Sequence, residues 1–495
     1  MKILTALQIK EIDCSTMERQ NISSWELMER AATKLTERFT ELFSPTNVYI
    51  AVGKGGNGGD GLAMARMLTT QGFSVHVLAL FDNAACSDEY CENFRMLPSD
   101  IKITYSVYEF FNWIEEEPSG VVVDAIFGIG YTTSVYSDDL RELIQLINDL
   151  DRLKYKVVAI DTPSGMGSSI ADVNKLTVCA DHTFTIYSPK LPMLMPLSGE
   201  CAGEISIIDI GYDPQAIEEC ATNYHYTDNI TGLIPKRKKF AYKANFGSLL
   251  IIGGGQGMFG ASIIAARGAE AVGCGAVTIF TPRIYEPAVY ANIPTAMIMR
   301  NNDSFFATAP DVERYSTVCV GMGLGKESAT IEALSDLFLK CNAQSVPMVI
   351  DADALNLIAE NIELRHLIPE GSVLTPHVGE FRRLVGSWSS DKEKLDKLIS
   401  LSDESGCTVV LKGANSAVAS EGDIYFNSSG NPSMSRAASG DMLAGIIAAM
   451  LARGLSPLNA ARVGVFLHGS AADRAKDIYG ENFVTIDRWL ESFYI

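Results

Sequence analysis

A β-strand with water on one face alternates apolar and polar residues, and most strands of this chain do not. "NVYIAVG", "GVVVDAIFG" and "KVVAIDTPSG" are near-continuous runs of Val, Ile and Ala, joined in the first half by "SVHVLAL", "HTFTIY" and "GEISIIDIG". Helical patterns fill the gaps near Gly61–Thr70, Asp88–Leu97 and Asp138–Leu150, and Ser23 with Glu26 can form a capping box that opens "SWELMERAATKLTERF". Strands apolar on both faces and alternating with helices mean a parallel sheet covered on both sides. In such a sheet ligands sit at the carboxyl ends of the strands. Those ends are where this chain concentrates glycine and aspartate.

The pattern starts again after a break. "GSLLIIGGG", "AVTIFTP", "STVCVGMGLG", "PMVIDADAL", "SVLTPHVGEF" and "CTVVLKGANS" form a second α/β series, with long helices through Ala261–Gly273, Met442–Arg453 and Leu458–Asp477. Between Asp213 and Asn245 regular patterning fades into "YDPQ", "TDNITG" and "PKRKK". The chain therefore divides into a domain over 1–215, a linker over 216–240 and a domain over 241–495. Its 495 residues exceed the ~250–300 at which one core stops growing. The halves share no short period, so this is a fusion and not a repeat array.

A net charge of −20 argues against nucleic acid and anionic membrane as partners, and the single basic run Lys236-Arg237-Lys238-Lys239 reads as a solvated linker. The longest apolar stretch, near Ile446–Ala452, is far short of the ~20 residues that span a bilayer, and charges come too early at the N-terminus for a secretory signal. Ten cysteines without a C-x-x-C pair suggest neither zinc nor a disulfide framework, so a reduced, cytoplasmic compartment is expected.

In "YIAVGKGGNGGDGLAMARML" a strand runs through a glycine loop into a helix, with a spacing that fits neither G-x-G-x-x-G nor a Walker loop. Gly58 and Gly59 are expected to let backbone N–H groups approach an anion at the helix N-terminus. Asn57 and Asp60 offer oxygens that suit a hard cation or sugar hydroxyls. A second strand end supplies Asp124, Gly128 and Gly130, and a third supplies Asp161 and Ser164. Any one of these acids alone is better explained by a helix cap or a turn. Three at successive strand ends point to a site.

In the second half "GGGQGMFG" is a formal G-x-G-x-x-G, but the next strand ends in Thr281-Pro282-Arg283 without the acid a dinucleotide fold needs. "GNPSMSRAASGDMLAG" runs small residues into Gly440-Asp441 before a long apolar helix. N–H groups there can stabilise a transferring phosphoryl group, and Asp441 can accept a proton from the attacking hydroxyl. An isolated Asp at that place would be a helix cap. It is accompanied by His377 and Glu380, spaced to put a carboxylate near a magnesium-bound water, by Lys412 and Gly413, and by Gly321 and Gly323.

"GKGGNGGDG", "DAIFGIG" and "IDTPSG", in that order, resemble the N-terminal domain of the NAD(P)H-hydrate repair enzymes over roughly Thr5 to Tyr212. That domain is an NAD(P)HX epimerase, a Rossmann-like three-layer parallel sheet that binds potassium. The resemblance implies that Gly56, Asn57, Gly58, Gly59 and Asp60 contact the hydrated dinucleotide. With them come Gly128, Ile129, Gly130, Tyr131, Thr132, Thr133 and Ser134, and Asp161. It also implies that Asn57, Asp124 and Ser164 hold K+. Gly56 stands where the family often has a second Asn. Epimerisation at C6 opens and re-forms a C–O bond, and a carboxylate beside the ring can carry the proton. Asp161 is the first candidate and Asp60 the second.

From about Ile234 onward the ordered motifs resemble the ribokinase-like superfamily, and within it the ADP-dependent NAD(P)HX dehydratase, an α/β domain that uses Mg2+. The resemblance implies that Ala261, Gly323, His377, Val378, Gly379, Glu380, Phe381, Arg382, Arg383 and Asp441 face NAD(P)HX. ADP would be held by Lys412, Gly413, Ala414, Asn415 and Ser416. The same role falls to Asn431, Pro432, Ser433, Met434, Ser435, Arg436, Ala437, Ala438, Ser439 and Gly440. Ala437-Ala438 replace a pair in which the family commonly has a glycine, and alanine presents its N–H as well provided its φ is negative. Tyr242 replaces a more usual His. Phosphorylating the ring hydroxyl turns a poor leaving group into a good one, so a kinase-like site is suited to dehydration. The expectation is a bifunctional enzyme acting on NADHX or NADPHX with ADP, as a homo-oligomer. The alternatives are a sugar or vitamin kinase in the C-terminal half, or a non-catalytic nucleotide-binding module. Retention of Asp161 and Asp441 argues against the latter.

Overall fold

Every apolar run named above becomes a strand, and the strands sort into two sheets. A computed structural model describes residues 1–81, 86–130, 137–170 and 176–493. Its contacts divide the chain into Met1–Thr222 and Asn223–Ile495.

The first unit holds β1 (Asn47–Val52), β2 (Ser74–Ala79), β3 (Lys102–Thr104), β4 (Gly120–Ala125), β5 (Tyr155–Ile160), β6 (His182–Ile186) and β7 (Glu204–Ile208). Their order is β3-β2-β1-β4-β5-β6-β7, and every pair is parallel. One face packs against the helices Ser24–Leu42 and Gly56–Thr70, the other against Val107–Glu115 and Asp138–Asp149. The capping box of Ser23 and Glu26 is present. Strand order reverses between β1 and β4, which opens the crevice where parallel sheets take their ligands.

The second unit contains β8 (Tyr224–Thr227), β9 (Ser248–Ile252), β10 (Ala276–Pro282), β11 (Met297–Asn301) and β12 (Thr317–Val320). β13 (Met348–Ile350), β14 (Val373–Leu374), β15 (Thr408–Leu411), β16 (Ala417–Ser420) and β17 (Asp423–Asn427) complete it. The order is β11-β10-β9-β12-β13-β14-β15-β16-β17-β8, with β16 antiparallel to both neighbours. Helix Ser439–Ala452 is buried continuously from Met442 onward, as a helix apolar all round must be.

Two features differ from the sequence reading. The stretch read as a linker contains a helix, Pro214–Glu219, capped by Asp213, and then β8, which pairs in parallel with β17. "YHYT" carries no apolar run, so only tertiary pairing makes it a strand: Ile424 N–H donates to the Asn223 carbonyl (2.8 Å) and the Asn223 amide donates to the Gly422 carbonyl (3.0 Å). Cys179 and Cys201 form a disulfide, although their spacing of 22 residues gives no such hint. They precede β6 and β7, which pair side by side. No helix among the described residues is long and apolar enough to cross a membrane.

β8 covers the β17 edge, so a fragment beginning at residue 241 should melt several degrees below one beginning at 223. Each kcal/mol of lost pairing shifts Tm by roughly 2–4 °C in a domain of this size. Thermal unfolding of the two purified fragments checks this, and equal melting temperatures would show β8 to be dispensable.

Candidate active sites

In the first unit the glycine loop lies at the β1–β4 crevice. Gly53 N–H donates to the Ala125 carbonyl (3.0 Å), and helix Gly56–Thr70 starts at once, with no side chain capping it. A Cβ on Gly58 would lie 1.8 Å from the Gly53 carbonyl oxygen, so only glycine lets the loop fold back on itself. Gly59 N–H donates to the Gly55 carbonyl (3.1 Å). These two glycines therefore serve packing. The N–H groups left open to an anion are those of the first turn, Gly56 to Gly58.

Asn57 is half-buried, and both atoms of its side-chain amide are enclosed with no hydrogen-bond partner among the described residues. A Cβ on Gly128 would sit 3.4 Å from Asn57 Cβ and 3.5 Å from Asp161 Oδ2, so the first and third motifs meet across Gly128. Gly130 borders open space and Ile129 is half-buried. Tyr131, Thr132, Thr133 and Ser134 lie outside the described residues. Asp124 and Ser164, both fully buried, touch: the Ser164 hydroxyl donates to Asp124 Oδ1 (2.6 Å) and its N–H to Oδ2 (2.7 Å). Burial pushes the Asp124 carboxyl up to about 6 against those bonds. Oxygen-only donors, with the Asn57 amide oxygen unpartnered, suit a hard monovalent cation.

Asp161 ends β5 in the left-handed region (φ 62°) and meets Lys190 Nζ at 2.8 Å. Lys190 is wholly buried and also donates to Thr185 Oγ1 and to the Ile186 and Ser188 carbonyls. Asp60 has its pKa raised well above the carboxylate range by burial first, then by Asp161 and Asp13. Asp13 is itself raised to about 6 by burial, although the Tyr212 hydroxyl donates to it at 2.8 Å. Asp60 and Asp13 thus lie in a low-dielectric pocket with Asp161, and the protons of Asp60 and Asp13 are held more firmly by burial and by acidic neighbours. Lys190, Asp13 and Tyr212 were not singled out from sequence. A lysine in "YSPKLP" reads as a surface residue, since lysine is almost never fully buried.

In the second unit a cavity of about 510 Å³ is lined by Lys412, Gly413, Ala414, Asn415 and Ser416, and by Asn431, Pro432, Met434, Ser435, Ser439 and Gly440. Ser433, Arg436, Ala437 and Ala438 are not on its wall, whereas Asn427, Ser429, Gly430, Leu443, Val465 and His468 are. His468 is kept neutral by burial, its pKa lowered to about 3. Lys412 Nζ binds Asp351 Oδ1 at 2.8 Å and lies 4.0 Å from Glu380 Oε2. A Cβ on Gly440 would lie 3.4 Å from Lys412 Nζ, which puts the ammonium beside the first turn of helix Ser439–Ala452. Burial, then Asp351, raises the Asp441 carboxyl to about 6, while Lys412 pulls it down. Asp351 ends β13 in "VIDADAL", the same strand-end pattern that singled out Asp124 and Asp161.

Ala438 adopts φ 69°, left-handed, so the negative φ expected of it is not met. For an alanine this costs roughly 1–2 kcal/mol. His377 caps helix Val378–Val385, its Nδ1 accepting the Gly379 and Glu380 N–H groups while Glu380 accepts the His377 N–H (2.8 Å). Phe381 is core, Val378 is exposed, Arg382 stacks on Trp388 and Arg383 binds Asn356. Ala261 lies in the first turn of helix Gly260–Ala271, and Gly323 (φ 59°) packs against Met258. No group of three or more metal-ligating His, Cys, Asp or Glu side chains occurs among the described residues.

A family model described as NAD(P)H-hydrate dehydratase matches residues 249–489, and one described as YjeF-related protein N-terminus matches residues 24–191. The bifunctional NAD(P)H-hydrate repair enzyme Nnr of Thermofilum pendens is 31% identical, covering 98% of this chain and 94% of its own. That of Coxiella burnetii is 32% identical, over 96% and 95%. Among solved structures, the ADP/ATP-dependent NAD(P)H-hydrate dehydratase of Bacillus subtilis, co-crystallised with ATP and Mg2+, is 25% identical. It covers 52% of this chain and 91% of its own, with a TM-score of 0.45.

Lys190→Met leaves the buried Asp161 side chain without its ion-pair partner, and should destabilise the first unit by about 3–5 kcal/mol in urea unfolding. The double variant Lys190→Met, Asp161→Asn should recover most of that loss. Equal stability of the single and double variants would show that the pair is not coupled.

Proposed function

The chain belongs to the bifunctional NAD(P)H-hydrate repair enzymes, and on that premise we propose how its two units divide the chemistry. The first unit is the epimerase and the second the ADP-dependent dehydratase. One observation supports this reading above the rest. Each unit gathers, at adjoining strand ends, a raised carboxyl, an acid–lysine pair and the open N-terminus of a helix.

In the epimerase the open first turn at Gly56–Gly58 receives the dinucleotide phosphates. The ring nitrogen pushes out the C6 hydroxyl, which must leave as water, and water then returns to the other face. Asp60, whose proton burial holds more tightly than water would, is suited to give the proton, and Asp161, paired with Lys190, to stabilise the cationic ring and take the proton back. The structure thus favours dividing the two roles rather than giving both to Asp161. Asn57, Asp124 and Ser164 are the residues that would hold potassium, which would supply a positive charge to the site.

In the dehydratase Asp441 takes the proton of the C6 hydroxyl as that oxygen attacks the terminal phosphorus of ADP, with AMP leaving. Lys412 and the first-turn N–H groups of Gly440 and Asp441 offset the charge on the transferring group. The ring nitrogen then expels phosphate, and loss of the C5 proton restores the double bond. Glu380 is engaged in its own helix cap, and among the described residues no group of three or more His, Cys, Asp or Glu side chains forms a preformed metal site.

With mixed R and S epimers and ADP, wild type should convert both to NAD(P)H. Asp441→Asn should lose dehydration by ~10²–10⁴-fold and keep epimerisation, whereas Asp60→Asn should do the reverse. Near-wild-type dehydration by Asp441→Asn would defeat the kinase-like mechanism. Dehydration should fall about tenfold per pH unit below pH 6, where Asp441 protonates. Asp351→Asn removes the negative neighbour and should move that limb to lower pH. K+ should raise the melting temperature of fragment 1–222 more than choline at equal concentration, and Asp124→Asn should erase the difference.

A further inference from the structure

One wall of the second cavity is a strap, Ser429–Ser435, that leaves β17, turns at Gly430 (φ 116°) and passes through a short 3₁₀ turn at Pro432–Met434. It lies along one face of helix Pro457–Tyr479, where Phe466, Gly469 and Asp473 recur at spacings of three and four. The Ser429 hydroxyl donates to the Phe466 carbonyl (2.9 Å). A Cβ on Gly469 would lie 2.3 Å from Ser429 Oγ and 2.6 Å from its carbonyl, so glycine alone admits the strap this close.

Asp473 uses both carboxylate oxygens on the strap. Oδ2 accepts the Gly430 N–H (2.9 Å) and Oδ1 accepts Asn431 Nδ2 (2.8 Å). Asn431 Oδ1 in turn accepts the Ser433 N–H (3.1 Å) and caps the 3₁₀ turn. The carboxylate, which can only accept, therefore fixes which way the Asn431 amide faces and with it the path of the next residues. Asp473 is not on the cavity wall. Its effect on a ligand passes through the strap.

We propose that Asp473 is a positioning residue for the nucleotide, holding Ser429–Ser435 in the conformation that walls the cavity. The proposal rests on the reading of that cavity as the ADP site. Asp473 then governs ADP affinity while leaving the hydrated dinucleotide and the phosphoryl step untouched, because Lys412, Asp351 and Asp441 hang on other elements.

The test uses the full chain carrying Asp473→Ala, Asp473→Asn or Gly469→Ala. ADP binding is measured by calorimetry, KM for ADP and for the S epimer together with kcat, and Tm alongside. Asp473→Ala loses two charge-assisted hydrogen bonds, and the Kd and KM for ADP should rise about tenfold or more. The kcat at saturating ADP and the KM for the S epimer should stay within about threefold of wild type. Asp473→Asn keeps an acceptor for Gly430 but faces the Asn431 amide with another amide, so it should show the same split more weakly. Gly469→Ala, which pushes the strap off the same helix face one turn earlier, should reproduce it. Unchanged ADP affinity in Asp473→Ala, or a joint loss of kcat and S-epimer KM, overturns the role. If that variant does not fold, wild-type ADP affinity in both others overturns it. A wild-type chain that binds no ADP overturns the cavity reading itself. One that binds ADP alongside variants that bind it equally overturns only the positioning role.

Discussion

A parallel sheet covered on both faces leaves only its strand ends to chemistry. Strands such as β1 and β4 lie under helices on each side, and side chains along their length meet nothing but other side chains. Water, anions and substrates can reach the backbone only where a strand stops and the next helix has not yet closed over it. That constraint decides where Asp124, Asp161 and Asp351 can matter. Asp124 shows the electrostatic consequence, because burial raises its carboxyl even against the hydrogen bonds that Ser164 donates to it.

Both units meet this constraint with the same device. Asp161 at the end of β5 is held by Lys190 from beyond β6, and Asp351 at the end of β13 by Lys412 from beyond β15. In each case the lysine comes from a later strand end, so the charge pair exists only after the sheet has formed. A second acid, Asp60 or Asp441, then sits nearby with its proton held more tightly than in water. A pair of carboxyls whose environments push them apart is what acid–base work at neutral pH requires.

What could be read in advance follows from how strongly burial constrains composition. β1, β4, β9 and β12 are legible because a strand enclosed on both faces must be apolar along nearly its whole length. β3, β8, β16 and β17 lie at or near a sheet edge, are short, and tolerate "KIT", "YHYT", "AVAS" and "DIYFN", which carry no periodic signal. The glycines and acids of the sites were legible as motifs, but their burial and pairings were not. Lys190 is hidden in a loop of apparently ordinary polarity, and Asp473 lies mid-helix with its partners some 42 residues away. The left-handed φ of Ala438 leaves no trace in composition, because alanine is the residue expected to avoid it.

β8 has a consequence for how the second unit is made. It leaves the ribosome before any other strand of its sheet, yet β17, its one neighbour among the described strands, begins roughly 200 residues later. At a synthesis rate of about 5–20 residues per second, Tyr224–Thr227 waits on the order of 10–40 s with its backbone unpaired. Nine strands can be in place by then, and β8 closes the row last. A four-residue segment with only two tyrosines and little aliphatic surface is suited to such a wait, since it offers a neighbouring nascent chain little to adhere to. The same poverty of apolar signal that hides β8 in the sequence keeps it harmless until its place exists.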